Sequence, residues 1–233
     1  MFENNFDSVI ADRLHEECGV MGVSSPAEDV AQMVFFGLFA LQHRGQEAAG
    51  IAVSDGVQAR IHKADGLVSH VFTPANLAPL RGSNGIGHTR YSTTGGSGAR
   101  NAQPFLVETV HGPLAVAHNG NLVNATELRE ELADIASELT STTDSELIAF
   151  AIQGAVNGGL DWDQAIRQAA GRCRGAFSLV IGTPEGLFAL RDGHGIRPLV
   201  FGHMGELDQA QWVVSSETCG LDIIGASFDG RFC

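Results

Sequence analysis

The order of strand-like and helix-like segments is the feature that most constrains the fold of this chain. Apolar runs bounded by glycine come first, helical patterns cluster between residues 124 and 171, and strand-like runs return from residue 177 onward. Strands, then helices, then strands again predict an α+β fold. The 29 glycines agree with this, because they suit tight turns between strands better than a helix bundle.

Turn and capping residues set the expected boundaries of the elements. Asp55-Gly56 and Thr183-Pro-Glu-Gly186 each predict a β-hairpin turn, and Asp161 predicts a helix start. Strands are expected at 18–23, 49–54, 58–63, 86–91, 114–118, 177–181, 187–191, 199–202 and 212–216, helices at about 30–41, 124–137, 146–156 and 162–171, and an irregular stretch at 65–84. Because no linker or repeat interrupts the pattern, we expect one domain over residues 18–233.

Composition excludes several classes of protein. The formal net charge of −13 disfavours binding to nucleic acid and to anionic membranes, both of which attract clustered Lys and Arg. The longest apolar run, 30–41, is too short to span a bilayer. The 4 cysteines have no C-x-x-C spacing, so neither a disulfide framework nor a metal site is expected. These features predict a cytoplasmic protein with reduced thiols.

Three polar clusters are candidates for a binding site. Arg90 lies among hydroxyl residues in Gly87-His-Thr-Arg-Tyr-Ser-Thr-Thr-Gly95 and offers a planar fork for a carboxylate, although a surface salt bridge is as common. Asn119-Gly120 suits either an ordinary turn or an oxyanion hole. Asp144 suits either a helix cap or a site for an ammonium group.

Cys18 lies in a short apolar strand, where a cysteine is more often a packing residue than a nucleophile. The three clusters change that balance. A thiol, a cation for a carboxylate, an anion for an ammonium and an oxyanion site are together what an amino acid with a side-chain amide requires. Glutamine fits this description, although no side chain in the set is an obvious general base.

The motifs and their order resemble a known family. Glu17-Cys-Gly-Val20, Leu41-Gln-His-Arg-Gly-Gln-Glu-Ala-Ala-Gly-Ile51, Gly87-His-Thr-Arg-Tyr91, Ala117-His-Asn-Gly-Asn-Leu122, Thr143-Asp-Ser-Glu146 and Arg191-Asp-Gly-His-Gly-Ile-Arg-Pro-Leu199 are similar to the glutaminase domain of the glutamine phosphoribosylpyrophosphate amidotransferase (amidophosphoribosyltransferase) family. The resemblance runs from about residue 17 to 226. Gln-His-Arg-Gly-Gln and Gly-Ile-Arg-Pro-Leu favour this purine-pathway family over sister amidotransferases that share the other elements.

The resemblance implies an N-terminal nucleophile hydrolase fold, a four-layer αββα sandwich of two antiparallel sheets flanked by helices. In such proteins the free α-amine of the nucleophile residue is the general base, so residues 1–17 are expected to be a propeptide that is removed to expose Cys18. By matching positions, the oxyanion is held by Asn119 and Gly120. The α-carboxylate of glutamine is held by Arg90 with Thr93, the α-ammonium is held by Asp144, and Arg44 and Gly45 line the site.

The resemblance also implies what lies outside this site. In the complete family members ammonia reacts with phosphoribosyl pyrophosphate (PRPP) to form phosphoribosylamine, the first step of purine synthesis. That reaction needs Mg²⁺ and a second domain, and some relatives hold a 4Fe-4S cluster. We expect these groups only in the second domain, no cofactor in this chain, and a homo-oligomer for the full-length protein. Residues 227–233 depart from the family pattern, so we expect a truncated or separately encoded glutaminase.

Two other interpretations of the sequence stay open. The chain could be a catalytically silent remnant or binding module that keeps its leader, or the glutaminase domain of another class II amidotransferase. His43, His88 and His118 lie inside the motifs, but the mechanism needs none of them as acid or base. We therefore expect them to make hydrogen bonds within the fold.

Overall fold

The computed structural model describes residues 18–26, 30–91, 99–132 and 138–232. Within these residues strands and helices alternate in blocks, as the sequence pattern predicts. The strands are β1 Gly19–Ser24, β2 Ala48–Ser54, β3 Ala59–Asp65, β4 Asn84–Arg90, β5 Phe105–Thr109, β6 Gly112–Leu122, β7 Gly175–Thr183, β8 Gly186–Arg191, β9 Val200–Met204, β10 Gln211–Ser215 and β11 Ser227–Arg231. The helices are α1 Val30–Ala40, α2 Val68–Val71, α3 Pro74–Leu77, α4 Ala125–Glu131, α5 Asp144–Asn157, α6 Trp162–Arg172 and α7 Thr218–Asp222.

The strands form two antiparallel sheets. Within the described residues, sheet A has seven strands in the order β11-β9-β10-β1-β4-β2-β3, and sheet B has four in the order β5-β6-β7-β8. β1 is the central strand of sheet A and pairs with β4 on one side and β10 on the other. Because β1 has a neighbour on both sides, the residue just before it is held in the middle of the sheet.

Three apolar clusters separate the layers. One packs α1 against the outer face of sheet A and includes Met21, Val34 and Leu38. Another packs α5 and α6 against the outer face of sheet B and includes Leu147 and Ile152. The third joins the inner faces of the two sheets. The layers are therefore helix, sheet, sheet and helix, which confirms the predicted α+β class and the four-layer αββα arrangement.

Most predicted elements are present, and the differences follow from local patterns. Residues 65–84 were expected to be irregular but contain α2 and α3, which are too short to show a helical repeat. Among the edge strands of the described sheets, β3 and β8 follow the predicted hairpin turns, whereas β5 and β11 follow no such turn signal and were missed. The helix expected over 124–137 runs to Glu131, and residues 133–137 lie outside the described residues. No helix in the described part of the chain is both long and apolar enough to cross a membrane.

The helix start predicted at Asp161 gives a test of the fold. The Asp161 side chain accepts a hydrogen bond of 2.8 Å from the Gln164 N–H at the beginning of α6. We expect Asp161→Ala to lower the free energy of unfolding by about 1 kcal/mol, because a backbone N–H in the first turn of α6 loses its side-chain partner. Urea unfolding followed by circular dichroism measures the change.

Asp163→Ala is the matched control, because Asp163 is also an acidic residue of the first turn of α6. Its carboxylate pairs with the exposed Arg167 one turn later, at 2.8 Å, and exposed pairs contribute little, so a smaller loss than that of Asp161→Ala is expected. Equal losses in the two variants would contradict the capping role of Asp161.

Candidate active site

A cavity of about 310 Å³ lies where the end of sheet A meets sheet B and the start of α5. It is lined by Cys18, Arg90, Tyr91, Gln103, His118, Gly120, Asn121, Leu122, Ala125, Thr142, Thr143, Asp144 and Ser145. The volume is at the lower end of the range of about 300–1,000 Å³ that is typical of small-ligand sites. Another cavity, of about 380 Å³, lies beside α1 and has mainly apolar walls without any of the predicted site residues.

The nucleophile candidate, Cys18, lies immediately before β1 at the mouth of this cavity. Its Sγ lies 3.4 Å from the backbone nitrogen and 3.6 Å from the carbonyl oxygen of Tyr91, the residue after β4. The following peptide N–H, that of Gly19, donates to Thr89 Oγ1 at 3.2 Å. The thiol is only partly buried, which leaves it accessible from the cavity. The sequence does not predict the contact with Tyr91, because Tyr91 is 73 residues away.

Arg44 contacts the backbone of Cys18 and does not line the cavity. It ends a 3-10 turn, Gln42–Arg44, and its Nε donates to the Cys18 carbonyl oxygen at 3.1 Å. Its Nη1 contacts Glu217 at the start of α7. The predicted role of Arg44 near the nucleophile stays a prediction, and the geometry assigns it a contact with the Cys18 carbonyl.

Gly45 is needed for close packing against β4. A Cβ at this position would lie 2.6 Å from the carbonyl carbon and 2.8 Å from the nitrogen of Arg90, much closer than real Cβ atoms approach a backbone. Gly45 is absent from the cavity wall among the described residues. Its contribution to the site is therefore to let the loop lie directly on the strand that carries Arg90.

The Arg90 side chain reaches the cavity from the end of β4 and is only 6% exposed. Its guanidinium lies 4.0 Å from the carboxylate of Glu47. A guanidinium at a cavity wall is a suitable partner for a ligand carboxylate, because the two form charge-assisted hydrogen bonds. Thr93, predicted to assist Arg90, lies outside the described residues.

Asn119 and Gly120 are consecutive residues of β6, so they face opposite sides of sheet B. Alternation along the strand puts Asn119 on the face of Ala115 and Ala117, which pack against sheet A. Its side chain is 0% exposed, and neither amide atom has a hydrogen-bond partner within the described residues. An unpartnered buried amide is costly, so it is a candidate for an interaction that forms only with a ligand.

Gly120 lines the cavity directly. Its φ is +143°, and a Cβ there would lie 2.1 Å from the carbonyl oxygen of Ala176 on the neighbouring strand. No other residue fits this conformation and spacing. The Asn-Gly pair therefore belongs to a strand, and the turn that the sequence left open as an alternative is excluded.

Asp144 begins α5 and points into the cavity, with its side chain 13% exposed. Its Oδ2 accepts from the Leu122 N–H at 2.7 Å, and its Oδ1 lies 3.6 Å from His118 Nδ1. Burial raises the pKa of Asp144, but the neighbouring His118 ring and the Leu122 N–H outweigh burial, so the pKa lies below its ordinary value. The carboxylate is thus ionised at neutral pH.

His118 is buried behind Asp144. Its ring Nδ1 lies 2.9 Å from Ser145 Oγ, and its backbone is clamped by Gln103, whose side chain accepts from the His118 N–H at 2.8 Å and donates to its carbonyl at 3.2 Å. Lys63 holds the segment that carries Gln103 through the carbonyl oxygens of Ala102 and Pro104, at 2.6 and 3.1 Å. Sequence reasoning missed Gln103, because a lone Gln after a glycine-rich stretch carries no signal.

The loop before α5 is held by Glu146, another residue that the sequence did not single out. Its carboxylate accepts from the backbone N–H groups of Thr140 and Ser141 and from Thr140 Oγ1. Burial raises the pKa of Glu146, but these hydrogen bonds lower it by more. The pKa therefore lies below its ordinary value, and the carboxylate stays charged. Thr143-Asp-Ser-Glu146 is a signal that could have been used, since Thr-x-x-Glu is the spacing of a capping box at a helix start.

The remaining histidines and cysteines agree with structural roles. Burial lowers the pKa of His88 to about 3, so its ring is neutral, and its Nε2 donates to the His118 carbonyl at 3.1 Å. Burial raises the pKa of Cys173 to about 11, and burial followed by Glu217 raises that of Cys219. These thiols are poor nucleophiles at neutral pH. Cys233 lies outside the described residues.

Comparisons with known proteins agree with this geometry. Residues 88–222 match the family model described as a glutamine amidotransferase domain. The chain is 60% identical over 217 residues to an amidophosphoribosyltransferase of Synechococcus elongatus, and 43% identical over 244 residues to that of Mus musculus. These alignments cover 93% and 94% of this chain, but 44% and 46% of the relatives.

A solved structure of glutamine PRPP amidotransferase from Bacillus subtilis has the same fold, with a TM-score of 0.82 and 38% identity. That match covers 92% of this chain and 45% of the B. subtilis chain. The chain thus spans about half the length of the relatives that it matches. It belongs to the family of glutamine amidotransferase domains, and within that family it matches the amidophosphoribosyltransferases.

Proposed function

We propose that this chain hydrolyses glutamine to glutamate and ammonia, with Cys18 as nucleophile. One observation carries the proposal: a thiol, a buried guanidinium and an ionised carboxylate line the same small cavity. Arg90 and Asp144 have the charges that the α-carboxylate and α-ammonium of an amino acid require. Bound between them, glutamine would present its side-chain amide to the Cys18 thiol.

The chemistry needs a free amine on Cys18, so we propose that residues 1–17 are removed. The α-amine takes the thiol proton, and the thiolate attacks the amide carbon. An α-amino group has an ordinary pKa of about 7.7–8.0 and is therefore an efficient base near neutral pH. The proton then passes to the leaving nitrogen, ammonia departs, and water hydrolyses the thioester to release glutamate and the free thiol.

The tetrahedral intermediate carries a negative oxygen that must be stabilised. Under the proposal the Asn119 side-chain amide and the Gly120 N–H donate to it. The support for Asn119 is its buried amide without a partner in the described residues. A donor that hydrogen-bonds only to the charge formed in the transition state lowers the barrier. A donor that binds the ground state equally well does not.

We further propose that the ammonia serves phosphoribosylamine formation from PRPP, the first step of purine synthesis. The support is the identity to relatives named amidophosphoribosyltransferase, which are about twice as long as this chain. The phosphoribosyl reaction, its Mg²⁺, any 4Fe-4S cluster and a homo-oligomeric assembly would belong to the complete enzyme, in the cytoplasm. Amide hydrolysis in this chain would take both its nucleophile and its base from Cys18, without a cofactor.

Covalent labelling tests the identity of the nucleophile. Processed protein treated with an electrophilic glutamine analogue should gain one adduct on Cys18, and intact mass should show a chain that begins at Cys18. Cys18→Ala should lose both the adduct and the hydrolysis of glutamine. A chain that retains Glu17 and hydrolyses no glutamine, or an adduct on Cys173 or Cys219, would refute the proposal.

Turnover of an Asn119 variant tests the oxyanion site. Asn119→Ala should reduce kcat about 10²–10³-fold while KM changes little, because the lost donor acts mainly in the transition state. Steady-state kinetics of glutamate release measures both constants. Asn121→Ala, a neighbouring cavity residue on β6, serves as the control and should retain much more turnover. Normal kcat for Asn119→Ala would contradict the assignment.

Substrate affinity tests the two charged residues. Arg90→Ala and Asp144→Asn should each raise KM for glutamine about 10- to 100-fold, because each removes a charge-assisted hydrogen bond of about 1.5–3 kcal/mol. Arg167→Ala, on an exposed arginine of α6, is the matched control and should leave KM unchanged. A larger effect on kcat than on KM would contradict a binding role.

The pH dependence of kcat/KM distinguishes titration of Asp144 from titration of the proposed general base, the α-amine of Cys18. The pKa of Asp144 lies below its ordinary value, so its carboxylate stays charged over the whole pH range in which an α-amine titrates. The acid limb of kcat/KM should therefore lie near the pKa of an α-amine, about 7.7–8.0. It should stay there in Asp144→Asn. An acid limb in the carboxyl range that disappears in this variant would contradict the base assignment.

A further inference from the structure

Glu217 is a partly exposed carboxylate outside the cavity, and it connects to the nucleophile through one side chain, that of Arg44. Arg44, whose side chain is 10% exposed, contacts Glu217 through Nη1 and the Cys18 carbonyl oxygen through Nε at 3.1 Å. Glu217 Oε2 also lies 3.1 Å from His43 Nε2. A guanidinium removed from water needs an anionic partner, and Glu217 supplies it.

The backbone around Glu217 is joined to the strand that carries the nucleophile. Ser216, its neighbour, donates its N–H to the Val20 carbonyl at 3.0 Å and accepts from the Val20 N–H at 2.9 Å through Oγ. The Glu217 N–H in turn lies 3.4 Å from Ser215 Oγ. Glu217 is thus held at a constant distance from β1, although it is 199 positions after Cys18 in the chain.

The peptide group between Cys18 and Gly19 is held at both of its polar atoms. Arg44 Nε donates to its carbonyl oxygen, and its N–H donates to Thr89 Oγ1 at 3.2 Å. A fixed peptide plane sets the rotation of the Cys18 Cα, which carries both the amine and the thiol. The directions in which the amine and the thiol of Cys18 point therefore depend on the Arg44 hydrogen bond.

We infer that Glu217 is a positioning residue for the nucleophile: its carboxylate orients the Arg44 guanidinium, which fixes the carbonyl of Cys18. The inference rests on the proposed function, because it concerns the geometry of the same reaction. Glu217 touches neither the cavity nor Cys18 within the described residues, so it acts only through Arg44.

A cation site is a weaker interpretation of the same side chains. Three possible ligand atoms, one each from His43, Glu217 and Cys219, lie within 4.8 Å of one another. The Arg44 guanidinium, however, already forms a salt bridge with the Glu217 carboxylate, and its positive charge repels a metal ion there. The carboxylate is therefore assigned to Arg44.

Loss of the Glu217 charge has an electrostatic consequence at Cys18. Burial raises the pKa of Glu217, but Arg44 and His43 outweigh it, so the carboxylate is ionised and compensates the guanidinium. Without it, an uncompensated positive charge lies one hydrogen bond from Cys18. Among the described residues, the other titratable or charged groups near Cys18 are unchanged by the substitution; they are Arg90, Tyr91, His118 and Asp144 around the cavity and Glu47 beside Arg90.

The sign of the effect follows from the charge. A positive neighbour disfavours the protonated amine and favours the thiolate, so it lowers both pKa values. In Glu217→Gln the acid limb of kcat/KM should move to lower pH, and so should the midpoint of Cys18 alkylation by iodoacetamide. A variant that merely loosened the fold would not move both in this direction.

The experiment compares wild type, Glu217→Gln and Glu217→Ala as full chains processed at Cys18. We expect kcat to fall about 10- to 100-fold, because a small misplacement of reacting groups costs this much. KM should change less than about threefold, since Arg90 and Asp144 are untouched. Glu217→Asp should recover part of kcat. Glu131→Gln is the matched control, since Glu131 makes an exposed pair with Arg172 at 2.6 Å.

A double variant tests whether Glu217 acts through Arg44. The double variant Arg44→Met/Glu217→Gln should have the same kcat as Arg44→Met alone. Without the Arg44 guanidinium, Glu217 has no contact through which to affect Cys18. Additive losses would overturn the inference. So would a Glu217→Gln protein with wild-type kcat and an unshifted alkylation midpoint.

Alkylation separates this inference from the proposed function, because it needs no glutamine. If wild type hydrolyses no glutamine, the proposed function fails. The shift of the alkylation midpoint in Glu217→Gln then still decides whether Glu217 sets the environment of Cys18. Urea midpoints of the variants, compared with Glu131→Gln, exclude global unfolding as the cause.

Discussion

The antiparallel register between β1 and β4 is the constraint on which the candidate site depends. It pairs Gly19 with Thr89, so Cys18 lies next to the end of β4, where Arg90 and Tyr91 follow. A slip of one residue would move each side chain of β1 to the opposite face of the sheet. The buried apolar faces on both sides of sheet A oppose such a slip, because Met21 belongs to the helix-side cluster and Val20 to the inter-sheet cluster.

The second half of the site depends on contacts between the sheets. His88 of sheet A donates to the carbonyl of His118 in sheet B, and Gln103 completes the hydrogen bonds of that residue. Asn119 and Gly120 come next along β6, so the same contacts that join the sheets also fix the proposed oxyanion site. Buried polar networks of this kind hold one geometry, because each group loses a partner if the others move.

The predicted site residues divide according to how local their signals are. Cys18, Arg90, Gly120 and Asp144 line one cavity, as their motifs suggested. Asn119 is buried beside it, and its amide has no partner among the residues that the structure describes; Arg44 holds the Cys18 carbonyl, and Gly45 packs on β4. Thr93 lies outside the described residues. Gln103, Tyr91, Glu146 and Glu217 were missed, since each acts through contacts that cross the sheets or follow a turn.

The sequence by itself determined the α+β class, most strands and helices, and the set of charges and polar groups that suits glutamine. Periodicity, turn residues and helix caps are local, and they remain legible without knowledge of the fold. Tertiary structure alone decided that Asn119-Gly120 is part of a strand, that His118 lies behind Asp144, and that Glu217 reaches Cys18 through Arg44. These relations join residues 26 to 199 positions apart, and only the packing of two sheets brings such residues within hydrogen-bond distance.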